Sequence, residues 1–318
     1  MRAGSITSVT IAFNGERSLE RHLAALVGQS RPLDEIIVVN NASTDGTLRL
    51  LAEHFPQVTV LNLPSNVGVG GGYVAGLDYA MRTKGHDWVW LFDQDSVPRE
   101  DGLERLLNQL DRLAGGAGEI GILAPVCMHE GTKLHYPGLL WRNGWRKVPA
   151  AEVENGGISF VDAVISSGSL IRSDAVKEAG PPRADFFIDY VDLEHCLRLR
   201  RHGFSIVVVG DSLLDHAMGD PRTVRIAGFS TVWADHVPWR EYYMARNQIF
   251  TIWAHCPTWE AKFSVARRLL RHGLGILLFG RDKVACLKMM CLGVLDGRAG
   301  RLGIRFSEQF DAPVSVHR

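Results

Sequence analysis

The 318-residue chain has no CxxC pair, and its five cysteines (Cys127, Cys196, Cys256, Cys286 and Cys291) are odd in number and scattered. That pattern argues against a zinc ribbon or a redox dithiol and fits a reducing compartment. The chain has no net charge, with Lys+Arg and Asp+Glu at 35 each, so nothing marks it as a nucleic-acid binder. It has no uninterrupted apolar stretch long enough to span a bilayer as a helix. The opening "MRAGSITSVTIAF" carries too short an apolar run for a signal peptide, so the expected location is cytoplasmic. Internal repeats and low-complexity tracts are missing as well. What is present is a core-forming composition, 46% hydrophobic against 22% charged. The length fits one large domain, or one domain plus a smaller module.

The first half alternates strand and helix patterns. Predicted strands lie at 8–14 ("SVTIAFN"), 35–41 ("EIIVVNN"), 58–64 ("VTVLNLP") and 88–93 ("WVWLFD"). Amphipathic helices are predicted at 18–30, 43–55, 74–83 and 102–114. Continuous apolar strands separated by helices imply an α/β, Rossmann-like fold, with a mostly parallel central sheet and flanking helices. Such sheets bind ligands beyond the carboxyl ends of their strands. Later strands are predicted at 121–127, 160–171 and 204–210, with a helix at 192–203. Residues 130–158 read as loop or hairpin, 217–238 as loop, and 239–295 as helical. The expected division is a domain over 1–238, with halves 1–115 and 116–238, and a helical extension over 239–318.

Asp93 and Asp95 end the fourth strand with only Gln94 between them. Alternate residues of a strand face one side, so both carboxylates can reach one point in a cleft. Two like charges that close repel. A hard divalent cation, Mg²⁺ or Mn²⁺, resolves the conflict and brings a phosphorylated substrate with it. The bland reading is a capped turn before Pro98. A competing reading is dinucleotide binding, since "GGGYVA" (70–75) satisfies G-x-G-x-x-A with Asp93 downstream. Those glycines follow the third strand rather than the first, and a ribose-binding acid has no need of Asp95.

Taken together, "VTIAFNG", "IIVVNNASTDGT", "NVGVGGGYVAGL", "WLFDQDS", "ISSGSLI", "FFIDYVDLEHCLRLRRHGF" and "YYMARN" resemble family 2 glycosyltransferases of the GT-A fold, the rhamnosyltransferase group in particular. The resemblance covers roughly residues 7–255. It implies a nucleotide-sugar donor, dTDP-rhamnose in that group, and a glycan or lipid-linked glycan acceptor. Asn14 would border the nucleotide, and Asn40 or Asn41 would contact the base where the family commonly has Asp. Asn66, Gly68 and Gly70 would let backbone approach the donor. Asp93 and Gln94 would meet the sugar, with Asp95, Asp93 and His216 at the metal. Asp192, six residues before Arg198, would be the catalytic base, with Glu194 at the second acidic position. Val191 departs from the family's Glu. Ser167 in "SSGS" would line the acceptor side, and Arg246 would clamp the diphosphate. A UDP-hexose or UDP-galactofuranose transferase, or a non-catalytic nucleotide-sugar or glycan binding module, are the alternatives.

The charge balance is uneven. From Arg240 onward there are 13 Lys/Arg against 6 Asp/Glu. Within 261–303 the basic residues are interleaved with Leu, Ile, Phe and Met, which fits a helix pair lying on an anionic membrane surface. Packing on the same chain or on a second subunit of a homo-oligomer fits equally well.

Overall fold

The computed structural model describes residues 4–113, 119–129, 135–136, 138–142, 144–149, 152–153, 156–216, 222–226 and 229–306. The chain divides into two compact units. One comprises residues 1–184 and 192–217, the other 185–191 and 218–318.

The first unit is built on a mixed sheet. Its parallel half consists of β1 (Ile6–Ala12), β2 (Glu35–Asn40), β3 (Thr59–Asn62) and β4 (Trp88–Asp93), in the spatial order β4-β1-β2-β3. Every residue of β1 is buried, because helices cover both faces of a parallel sheet. These helices are α1 (Leu19–Val27), α2 (Thr47–His54), α3 (Gly68–Asp78) and α4 (Gly102–Leu113). The strands end nearly flush: Ile11 pairs with Asp93, Ala12 with Asn40, and Asn40 with Asn62.

The other half continues through β5 (Ser96–Pro98), β6 (Ile120–His129) and β7 (His135–Tyr136), then, past a separate two-stranded sheet of β8 (Leu139–Trp141) and β9 (Trp145–Lys147), through β10 (Ile158–Val161), β11 (Leu170–Arg172) and β12 (Ser205–His216). Helices α5 (Ser173–Ala179) and α6 (Val191–Arg201) come between β11 and β12. β11 sits antiparallel between β4 and β6. β12 runs parallel to β6 and antiparallel to β5, which sets His216 opposite Ser96. The sheet is therefore parallel on one side and mixed on the other.

Four expectations need correction, the first being that the strand predicted at 160–171 is split between the end of β10 and the start of β11. The glycine run is not a loop leading into a helix; it forms the first turns of α3. A Cβ on Gly72 would stand 2.9 Å from Ile11, and one on Gly76 would stand 2.3 Å from Val9, so the glycines let the helix lie close on the sheet. The strand at 204–210 continues to His216, because an irregularity between Val209 and Leu213 absorbs the polar residues 210–212. Residues 222–226 and 229–233 form an antiparallel hairpin, β13 (Arg222–Ile226) and β14 (Phe229–Trp233), where loop was expected.

Among its described residues the second unit holds that hairpin and the helices α7 (Pro238–His255), α8 (Trp259–Phe279) and α9 (Lys283–Arg298). Pro238 opens α7, where a missing N–H costs nothing. The Thr258 hydroxyl caps α8 by accepting from Ala261 N at 3.2 Å. Helix α9 lies backbone to backbone on α7: Cβ atoms on Gly293 and Gly297 would stand 2.3 and 2.4 Å from the carbonyls of Tyr242 and Arg246. The Tyr242 hydroxyl donates to Asp296 at 2.7 Å. The stretch 187–190 contains three left-handed residues, Phe187, Asp189 and Tyr190. Such residues are held only where neighbours fix them. Here Asn247 Nδ2 donates to the carbonyls of Phe186, Ile188 and Asp189, and Arg240 pairs with both Asp189 oxygens at 3.0 Å.

Candidate active site

All the chemistry expected from the sequence lies in the first unit, apart from Arg246. Asp93, the last residue of β4, accepts a hydrogen bond from the Tyr73 hydroxyl at 3.1 Å, and its backbone N–H donates to Ser167 Oγ at 3.1 Å. Ser167 Oγ is 2.5 Å from Ser96 Oγ, which is 2.7 Å from His216 Nδ1. His216 Nδ1 also stands 3.4 Å from Asp95 Oδ1. A continuous polar chain therefore runs from Tyr73 through Asp93, Ser167 and Ser96 to His216 and Asp95.

Burial pushes the Asp93 carboxyl above its ordinary range; His216 opposes this, and the Asp95 charge adds to it. Burial, with Asp93 beside it, pushes the fully buried Tyr73 phenol well above its usual value, and the charge of Asp192 contributes. Asp192 lies in the first turn of α6, where its Oδ1 accepts from Leu193 N at 2.8 Å.

Ser96 is held from below as well. Its carbonyl accepts from His22 Nδ1, and His22 Nε2 is 2.8 Å from Thr10 Oγ1. Burial lowers the His22 pKa to about 4, so the ring is neutral. Tyr73, Ser96 and His22 were not singled out in the sequence. The available signals were weak: a tyrosine within a glycine-rich helix, and a serine directly after the acidic pair.

Several residues expected at the ligand are occupied within the protein. Asn40 and Asn41 are both buried. Asn40 accepts from Ser43 N and donates to Asn62 Oδ1 at 2.9 Å. Asn41 accepts from Val67 N and donates to Asn66 Oδ1 and the Gly68 carbonyl. These amides knit the loops after β2 and β3 together. Asn66 Oδ1 also accepts from Gly68 N at 2.9 Å. Gly70 faces protein, since a Cβ there would stand 2.4 Å from the Arg183 carbonyl. The Gln94 amide exchanges two hydrogen bonds with the backbone of Phe13, at 2.8 and 3.2 Å.

Ser167 is buried beneath the acidic pair, which makes it a support for Asp93. Glu194, 1% exposed, pairs with Arg198 through both oxygens at 3.0 Å. Arg246 is fully buried in the second unit and donates to the carbonyls of Gly303, Asp185 and Phe186. It pins the backbone, and a diphosphate clamp would need those same donors. Asn14 stays exposed, with Oδ1 accepting from Thr44 N at 2.8 Å and a left-handed backbone that turns the chain after β1.

Among the described residues, no three His, Cys, Asp or Glu side chains close around one point as a finished metal site. Asp95 and His216 are the adjacent pair, with Asp93 within electrostatic reach of both. Oxygen and imidazole donors of this kind fit Mn²⁺, and Mg²⁺ less well.

A mixed α/β sheet with flanking helices, and a paired acid at the end of a central strand, fits the GT-A fold. Residues 7–119 match the family described as Glycosyl transferase family 2, and the chain is a glycosyltransferase. It is similar to the dTDP-rhamnosyl transferase RfbF of Shigella flexneri, 28% identical over 302 residues, covering 94% of this chain and 97% of the relative. It also resembles the galactofuranosyltransferase GlfT1 of Mycobacterium tuberculosis (strain H37Rv), 29% identical over 223 residues, covering 68% of this chain and 71% of the relative. Among solved structures, GalNAc-T7 with UDP, GalNAc and Mn²⁺ shares the fold, with a TM-score of 0.59 at 14% identity. That match covers 79% of this chain and 48% of GalNAc-T7, so the chain spans about half the length of that protein.

Proposed function

We propose that this glycosyltransferase moves L-rhamnose from dTDP-rhamnose to a cell-surface glycan acceptor, with inversion in a single displacement. The observation that carries the reading is that the Asp93 and Asp192 charges both act on the buried Tyr73, which brings a donor-side carboxylate and a helix-terminal carboxylate to one region of the first unit. Asp192 takes the proton of the acceptor hydroxyl as its oxygen bonds to the anomeric carbon and the bond to the diphosphate breaks. Tyr73 and Ser167 hold Asp93 in place from two sides. Asp95, Asp93 and His216 are the residues that would hold Mg²⁺ or Mn²⁺, which when bound offsets the charge growing on the leaving diphosphate.

Similarity along nearly the whole length of a dTDP-rhamnosyl transferase favours rhamnose. Similarity to a galactofuranosyltransferase supports a UDP-galactofuranose donor as the second reading. A donor screen with the purified chain separates them. Thermal stabilisation by dTDP but not UDP in the presence of Mg²⁺ or Mn²⁺, and transfer from dTDP-rhamnose with the linkage read by NMR, are the expected results. Stabilisation by UDP alone would move the donor to the second reading.

A further inference from the structure

We infer that the outer face of α8 docks on an anionic lipid bilayer, with the helix lying along the headgroup plane. The inner face of α8 is packed through Ala261, Val265, Gly273 and Ile276. The opposite face carries large apolar side chains that the described residues leave half or more exposed: Trp259 is 77% exposed, Phe263 61%, Leu270 76%, Leu274 54% and Leu277 50%. Residues of a helix advance about 100° each, so these five fall within an arc of about 60°. A stripe that narrow and that apolar is unusual on a surface facing only water.

The charge beside the stripe identifies the occupant. Arg267 and Arg271 border it on one side and Arg268 lies beyond them, all exposed. Glu260 is the one acid between 259 and 279. The next turn repeats the composition, with Arg281, Lys283 and Val284, the last 82% exposed. An apolar stripe flanked by arginines fits acyl chains beside anionic headgroups. A second copy packed antiparallel across a two-fold axis fits poorly, since that contact would set one arginine flank against another. No helix among the described residues is long and apolar enough to cross a membrane, which agrees with a helix that lies on the surface.

The test is flotation of the full chain with vesicles of phosphatidylglycerol and phosphatidylcholine, against phosphatidylcholine alone. The chain is expected to float with the anionic vesicles and to lose most of that binding at high salt. Combined Leu270→Glu, Leu274→Glu and Leu277→Glu should lower the bound fraction at least tenfold, while the circular dichroism spectrum and urea midpoint stay put because the side chains are exposed. Arg267→Glu with Arg271→Glu should remove the preference for anionic vesicles. The inference is overturned if the wild type does not float with anionic vesicles, or if the triple variant floats like the wild type. It is equally overturned if the wild type is a dimer without lipid that the triple variant turns into a monomer. No sugar nucleotide enters the assay, so its outcome is independent of the donor and of the assignment of Asp192.

Discussion

Replacing Arg246 by Lys separates two roles for one residue, a clamp on the donor or a pin within the helical unit. The guanidinium donates to the Gly303 carbonyl at 2.6 Å, the Asp185 carbonyl at 2.8 Å, the Phe186 carbonyl at 3.1 Å and Asn247 Oδ1 at 2.9 Å. It also lies 4.7 Å from the centre of the Tyr243 ring. An ammonium group is a compact point with none of the fork's reach, so at least two of these acceptors lose their donor. Each buried acceptor left without a partner costs about 1–3 kcal/mol, which for two sums to roughly 2–6 kcal/mol. With an m-value of about 1–3 kcal/mol per molar urea, the midpoint should fall by about 1 M or more. Urea unfolding followed by circular dichroism, with donor KM measured on the folded variant, gives both readouts. A pin predicts a large fall in midpoint with donor KM little changed. An unchanged midpoint with KM raised more than tenfold would refute the reasoning and restore Arg246 to the substrate.

Asp192→Asn should lower transfer by about 100-fold or more, since a positioned base contributes on that scale, while thermal stabilisation by the donor nucleotide persists; full activity would sink the assignment. His22, held at a pKa of about 4 by burial, gives a pH-dependent stability term of a definite sign. Its depressed pKa means that the neutral ring's contribution is complete above about 6.5 and is lost as pH falls toward 4, by roughly 3 kcal/mol in all. The urea midpoint of the wild type relative to His22→Gln should therefore decline between pH 7 and pH 4.5, and a constant difference would contradict a buried neutral imidazole. Gly70→Ala should destabilise by about 2 kcal/mol, because its Cβ would stand 2.4 Å from a backbone carbonyl that cannot rotate away. If the better helix propensity of alanine won instead, a rise in melting temperature would show it.

The strands at the heart of the first unit were legible because their burial is continuous: "SVTIA" and "WVWLF" have no exposed face to interrupt the apolar run. The acidic pair was legible for the same reason, since a charge ending a buried strand has to meet something other than core. What the sequence hid was the destination of polar side chains whose partners are far along the chain. Asn40 and Asn41 read as ligand contacts, yet their amides are taken by Asn62 and Asn66. Gln94 sits between the two acids and still turns to Phe13. The glycines of α3 carry a steric message that only the opposing Ile11, Val9 and Arg183 atoms explain. His216 appeared to lie in a loop because Gly210 and Asp211 look like a strand ending, whereas the sheet bulges past them. Local pattern reports which face is buried; it does not report which distant atom fills the space.

The region from Trp239 onward reads as a separable appendage, but its last described residues act as a clasp. Asp296 receives the Tyr242 hydroxyl, Arg305 N donates to the Tyr243 hydroxyl, and the Gly303 carbonyl receives Arg246. A premature stop or a proteolytic nick near residue 258 would strip α7 of all three at once and expose two tyrosines and a guanidinium that were never wetted. Shortening this protein from its carboxyl end is thus a different operation from trimming a tail: the final two dozen described residues close over α7, and engineering tags or fusions onto that end must leave 296–305 untouched.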